Sequence, residues 1–176
     1  VARKNNIGDV IAGFSALAKN RRAVFVAGRL MGLRVQGGLA FGDLQDASGK
    51  IQIVLKKDNL KNFSDLKNTL DIGDFVEISG PVFKTKKGEK SVEAKNWAML
   101  SKSIKPVPSE WYGIEETETR LRHRYLDILL NEETKNIFIK KAIFWDTVRK
   151  YMKKSGFLEV EMPALESIPG GADAEP

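Results

Sequence analysis

A small β-barrel followed by an α-helical segment is the fold class this sequence predicts, and three observations carry it. Residues 23–56 and 74–100 read as strands, apolar residues alternating with polar ones between turn-forming clusters. A helical spacing over 59–70 interrupts them between the third and fourth strands. From about residue 118 the pattern is helical throughout, until Gly156 stops it.

Taken in order, Val10, Ile11, Phe14, Leu17 and Ala18 lie at helical spacing with Asp9 near the start, which predicts a helix over 9–19. Three strands follow: AVFVAGRLMGL from 23, LAFGDLQD from 39 and KIQIVLK from 50. Gln36-Gly37-Gly38 and Asp46-Ala47-Ser48-Gly49 supply the turns between them. Gly28 and Gly32 inside the first strand permit the coiling of a small barrel. After the helix Asn59–Leu70, Asp71-Ile72-Gly73-Asp74 turns the chain into a fourth strand, DFVEISGPVFKT. Lys86-Lys87-Gly88-Glu89 makes a hairpin into a fifth, KSVEAKNWAML. Five strands with a helix between the third and fourth form the order of an OB-fold. An SH3-like barrel is the runner-up and lacks that helix.

Pro106, Pro108, Trp111 and Gly113 mark a connection, so the expected boundaries are a barrel with its N-terminal helix over 1–104, a linker over 105–117 and a second domain over 118–176. That domain opens with helices at about 118–130 and 132–155. For the longer one, Asn131 caps the start, Glu132 and Glu133 occupy the first turn, Lys153 and Lys154 the last, and Gly156 follows the end. Its apolar set includes Ile137, Phe138, Ile139, Ile143, Phe144, Trp145, Val148, Tyr151 and Met152, broader than one face requires. Much of it is expected to lie under another surface.

Composition narrows the chemistry. There is no Cys and one His, which excludes disulfides, thiol catalysis, His triads and multi-His zinc sites built from this sequence. No apolar run approaches the length of a membrane span and no secretory signal pattern opens the chain, so a cytoplasmic protein without a membrane partner is expected. A start at Val1 rather than Met points to a trimmed piece. The formal charge is +6, and it is uneven: residues 1–100 hold 17 Lys/Arg against 10 Asp/Glu, and residues 101–176 hold 12 against 13. The basic excess of the barrel region fits a polyanionic partner or a solvated basic surface.

On a barrel wall alternate residues point inward. Ile51, Ile53 and Leu55 form the natural inner set of the third strand, and Ala40, Gly42 and Leu44 that of the second, which turns Gln52 and Phe41 outward near Arg34. An outward ring stacks on a base, an amide reads its edge, and a cation meets phosphate. Plainer readings stand beside this one. Phe41 belongs to the core if the strand phase is inverted; Arg34, Gln52 and Glu89, each read alone, are solvated surface residues; Lys84, Lys86 and Lys87 form an ordinary charged face; His123 is a surface or packed residue.

Several strings, in order and spacing, resemble bacterial-type class II lysyl-tRNA synthetases from about residue 23 to 176. They are VAGRLMGLR…AFGDLQDASGKIQ, VFKTKKGE, KPVPSEWYGIEETETR, LRHRYLDILLNEETKNIF and GFLEVEMPALESIPGGADA. The resemblance implies that helices opening a class II catalytic domain follow the five-stranded OB-fold. It implies that Phe41 stacks on the middle anticodon base and that Arg34, Gln52 and Glu89 contact anticodon uridines. Gly156, Phe157, Glu159 and Pro163 match the first class II motif, which implies a homodimer interface. The implied partner is tRNA(Lys), and the parent enzyme uses ATP and magnesium to ligate lysine to it through lysyl-adenylate. The second and third class II motifs do not occur in residues 1–176, so no catalytic residue and no cofactor are assigned here, and the chain as given is expected to bind without catalysing. Gly38-Leu39 stands where the family usually has Lys before a small residue, Met162 where Thr is common, and Glu175 where Arg is usual. A free-standing tRNA-binding OB module, or a fragment of an aspartyl- or asparaginyl-tRNA synthetase, are the alternatives.

Overall fold

In a computed structural model of the chain, residues 4–61, 63–105, 107, 114 and 116–161 are described. The chain divides into two units, one up to residue 112 and one from residue 113.

The first unit is a closed barrel. β1 (Ala23–Gln36) is long enough to serve two neighbours: its second half pairs antiparallel with β2 (Leu39–Gln45), and its first half with β4 (Phe75–Lys84). β2 continues antiparallel to β3 (Lys50–Lys56), and β3 runs parallel to β5 (Lys90–Glu93), which returns antiparallel to β4. The fifth strand expected over 90–100 is in fact two. β5 ends at Glu93, and β6 (Asn96–Ser101) pairs further along β4. The cause lies in β4, where Gly80-Pro81 separates the segment that pairs with β5 from the segment that pairs with β6. A Cβ on Gly80 would collide with the Glu93 carbonyl oxygen, so only glycine lets the strands cross so closely there.

Inward positions follow the alternation read from the sequence. Val24, Val26, Ala40, Leu44, Ile51, Ile53, Leu55, Val76, Ile78 and Val92 are buried and form one cluster. The helix between the third and fourth strands is present but shorter than expected. A 3-10 turn at Lys57–Asn59 precedes α3 (Phe63–Thr69), which adds Phe63 and Leu66 to the cluster.

At the other end the expected helix over 9–19 is split at Gly13 into α1 (Ile7–Ala12) and α2 (Phe14–Lys19). The turn at Asp46–Gly49 holds α1 in place: the Ile7 N–H donates to Asp46 Oδ2 at 3.0 Å and the Gly8 N–H to Ser48 Oγ at 2.8 Å. These are orphan donors of the first helical turn, satisfied by side chains some forty positions away.

In the second unit, helix 118–130 is also split, into α4 (Thr117–Arg122) and α5 (Arg124–Leu130), because His123 (φ −112°, ψ 50°) leaves the helical region. Buried Asp127 joins the two, accepting from Arg120 Nε at 3.1 Å and Arg124 Nη1 at 2.9 Å. α6 runs Glu132–Lys154, and Asn131 Oδ1 caps it by accepting from the N–H groups of Glu133 and Thr134. At its end Gly156 adopts φ +87°, and the Gly156 and Phe157 N–H groups reach back to the carbonyls of Lys153 and Met152. This left-handed glycine stop satisfies the last carbonyls, as its sequence position implied.

Candidate nucleic-acid interface

On the outer face of the barrel the strand register lines up side chains in rows. One row runs Arg34, Phe41, Val54 and Glu93 across β1, β2, β3 and β5. The next runs Asp43, Gln52, Ser91 and Phe83 across β2, β3, β5 and β4. Ala40, Gly42 and Leu44 are buried beneath β2 while Phe41 is half-buried, which excludes the inverted phase.

A groove of about 500 Å³ lies on this face. Arg34, Phe41, Gln52 and Glu89 all line it, together with Gln36, Leu39, Val54, Lys56, Phe83, Thr85, Lys86 and Lys87. Thus the four residues that the sequence singled out, drawn from three strands and a hairpin, share one wall-to-wall site. The hairpin is set by local chemistry: Gly88 takes φ +88°, the Thr85 N–H donates to the Glu89 carbonyl, and Thr85 Oγ1 accepts the Glu89 N–H at 3.1 Å. These bonds hold Glu89 and the two lysines at the groove edge.

The charges in the groove fall into two groups. Lys56 is held: its Nζ lies 2.9 Å from Glu93 Oε1 and 5.9 Å from the centre of the Phe83 ring. Its hydrogen bond, which outweighs partial burial, keeps the Glu93 carboxyl below the usual carboxylate range, helped by Asn59 at 2.8 Å. Arg34, Lys86, Lys87 and Glu89, by contrast, have no side-chain ion pair or hydrogen bond among the described residues. Unpartnered charge around a half-buried ring and an amide is a surface built to meet something polar, anionic and flat.

Comparison with known proteins gives that surface a family. Residues 24–100 match the family described as "OB-fold nucleic acid binding domain", and residues 116–176 the family described as "tRNA synthetases class II (D, K and N)". The chain is similar to the lysine–tRNA ligase of Roseiflexus castenholzii, 42% identical over 177 residues that cover 99% of this chain and 36% of that protein. It is also similar to those of Clostridium perfringens (42% over 181 residues, 100% and 35%) and Prochlorococcus marinus (39% over 184 residues, 98% and 36%). The chain belongs to the lysyl-tRNA synthetase family. It spans about a third of the length of these relatives.

In this lysyl-tRNA synthetase relative the groove contains residues that sequence reasoning passed over. Phe83 offers a second ring, and its signal is present in the pattern: Val76, Ile78 and Val82 set the inner phase of β4, which turns an aromatic at 83 outward just as Phe41 is turned. Lys56 gives no such signal, because Glu93, which holds it, comes from the parallel pairing of β3 with β5; the same pairing brings buried Ser91, which does not line the groove, against Gln52. Lys86 and Lys87 line the groove, whereas Lys84 does not. Leu39, where the resemblance implies a small residue, also lines it.

The described residues matched to the first class II motif, Gly156, Phe157 and Glu159, belong to the second unit. Glu159 accepts from Arg149 Nε at 2.8 Å, which holds its carboxyl below the usual range, with Lys153 at 3.7 Å. Phe157 is exposed, and with Trp145, Val148 and Met152 it lines a hollow of about 310 Å³ on α6. Pro163 lies outside the described residues. His123 is exposed, with Nδ1 3.2 Å from the Thr119 carbonyl oxygen. Among the described residues no cluster of His or acidic side chains is arranged for a metal ion, and no helix is long and apolar enough to cross a membrane.

Proposed function

We propose that the barrel groove binds the anticodon loop of tRNA(Lys), as the recognition part of a cytoplasmic enzyme that ligates lysine to that tRNA through lysyl-adenylate. The observation that carries this reading is the convergence of Arg34, Phe41, Gln52 and Glu89 on one groove, with their charged groups unpartnered. Phe41 supplies a stacking face, the Gln52 amide and Glu89 carboxylate read base edges, and Arg34, Lys86 and Lys87 meet phosphate. The similarity to lysine–tRNA ligases supports lysine over aspartate or asparagine as the amino acid. The class II match over 116–176 supports an enzyme part over a free-standing binding module.

The domain boundaries that fit are a barrel over 1–104, a linker over 105–117 and the opening of the catalytic domain from 118. The exposed apolar face of α6, with Gly156, Phe157, Glu159 and Pro163, packs on the same elements of a second copy. No residue of this chain is assigned to the ATP or magnesium of the parent reaction, and residues 1–176 contribute binding rather than chemistry. Lysyl-adenylate formed by purified 1–176 in a pyrophosphate-exchange assay contradicts that last statement.

The direct test is Phe41→Ala. Loss of one stacked base is expected to weaken binding of a UUU anticodon stem-loop by ~1–3 kcal/mol. Unchanged affinity removes Phe41 from the site, and tighter binding of an aspartate stem-loop by the unaltered chain overturns the assignment to lysine.

A further inference from the structure

We infer that Ser91 is a positioning residue that decides which base edge Gln52 accepts. The inference rests on the anticodon reading and adds to it a choice between keto and amino bases at one position. Ser91 and Gln52 face each other across the parallel pair of β3 and β5. Ser91 is fully buried, so its hydroxyl has no solvent to turn to, and it donates to Gln52 Oε1 at 2.8 Å. The other acceptor near it is the Glu89 carbonyl, at a stretched 3.4 Å.

A hydroxyl has a single hydrogen to donate. Directed at Gln52, it holds the carboxamide with its oxygen toward β5. The NH₂ group, which has no partner among the described residues, is then the end offered to the groove. A base meeting that end must bring an acceptor. Uracil and guanine carry a carbonyl where cytosine and adenine carry an exocyclic amine, so the amines would face a donor with a donor. Turning the amide over would accept an amine, but Nε2 would then point at Ser91, whose hydrogen would have only the distant Glu89 carbonyl to go to. Ser91 therefore makes one orientation of Gln52 the favoured one. Without its hydroxyl the amide is free to present either end.

The test measures affinities of residues 1–176 for a UUU anticodon stem-loop and for three loops in which one uridine is replaced by cytidine. The unaltered chain is expected to bind one of the three cytidine loops roughly tenfold or more weakly than UUU. Ser91→Ala should bind UUU within about threefold of the unaltered chain and reduce that discrimination to about threefold or less, since the lost term is specificity rather than contact. Gln52→Glu, which leaves the buried residue in place, gives an independent reading. A carboxylate accepts and cannot donate, so preference at the same position should move from uridine toward cytidine.

Discrimination unchanged in Ser91→Ala, equal loss of all four loops in that variant, or no movement toward cytidine in Gln52→Glu each overturns the inference and leaves the anticodon reading standing. An unaltered chain that binds none of the loops overturns the anticodon reading, and the inference falls with it.

Discussion

The barrel and the helical unit differ in where their apolar side chains go. All the buried hydrophobic residues among those described lie between Ile7 and Ala94, in the barrel; the buried residues of the second unit are Asp127 and Thr134, both polar. α6 leaves Ile137 at 60%, Ile143 at 61% and Phe144 at 59% exposure along one helix. The barrel thus closes its hydrogen-bonded edge and its core within one chain. The helical unit is shaped instead by caps, a glycine stop and the Asp127 ion pairs, while its apolar face is left exposed. Helices draw most of their stability from packing of such a face. On the proposed reading the difference separates a unit that recognises from a unit that assembles, and it can be broken experimentally.

The largest expected contrast is in stability. Ile53 is fully buried at the centre of the barrel, and Ile53→Ala should cost ~2–5 kcal/mol in urea unfolding, by lost transfer energy plus the cavity left behind. Ile143→Ala removes a comparable side chain from a 61% exposed position and should change the monomer's stability by less than ~0.5 kcal/mol. Equal costs at the two sites would erase the distinction between the units.

Binding gives the second contrast. If the groove meets phosphate, Lys86→Ala should weaken binding of every anticodon stem-loop and flatten the plot of log K against log salt by about one unit. Lys140→Ala, the same change on exposed α6, should leave both the affinity and the slope for the stem-loop unaltered. A slope that responds to Lys140 and not to Lys86 would move the nucleic-acid surface off the barrel.

Much of this arrangement is legible in the sequence. The strand phase that buries Ile51, Ile53 and Leu55 and turns Phe41 and Gln52 outward is a period-two signal, and such signals survive folding because one face must be buried. The Asn131 cap and the Gly156 stop are equally local. What no local pattern reveals is set by contacts between distant residues. The break of the last strand depends on Gly80 meeting Glu93, the seating of α1 depends on Asp46 and Ser48, and the partnership of Gln52 with Ser91 depends on the parallel pairing of β3 and β5. Over 9–19 and 118–130 the apolar spacing runs on through Gly13 and His123 while the helical backbone does not, so each expected helix is two.

Acid should separate the two units by the smallest of these margins, yet in a definite direction. Burial pushes the Asp74 carboxyl up, but hydrogen bonds from Lys102 at 2.8 Å and from the Asp71 and Ser103 N–H groups outweigh it and hold it below its ordinary range. Burial likewise opposes the bonds from Ser48, Ile7 and Gly49 at Asp46, and the bonds win. With Glu93, these make three depressed carboxyls in the barrel. A carboxyl depressed on folding contributes stability that is complete above its unfolded pKa of about 4 and is lost as pH falls through the lower folded value. The barrel's urea midpoint should therefore hold from neutrality down to about pH 4 and fall below it. Asp74→Asn, which cannot ionise, should lower the midpoint at neutral pH and make the fall in acid shallower. Glu159 is also depressed, chiefly by Arg149, but it is exposed and belongs to the second unit, so Glu159→Gln should leave the barrel's midpoint unchanged at every pH. An acid slope that Asp74→Asn leaves as steep as before would show that the barrel's response to pH comes from elsewhere than this buried carboxylate.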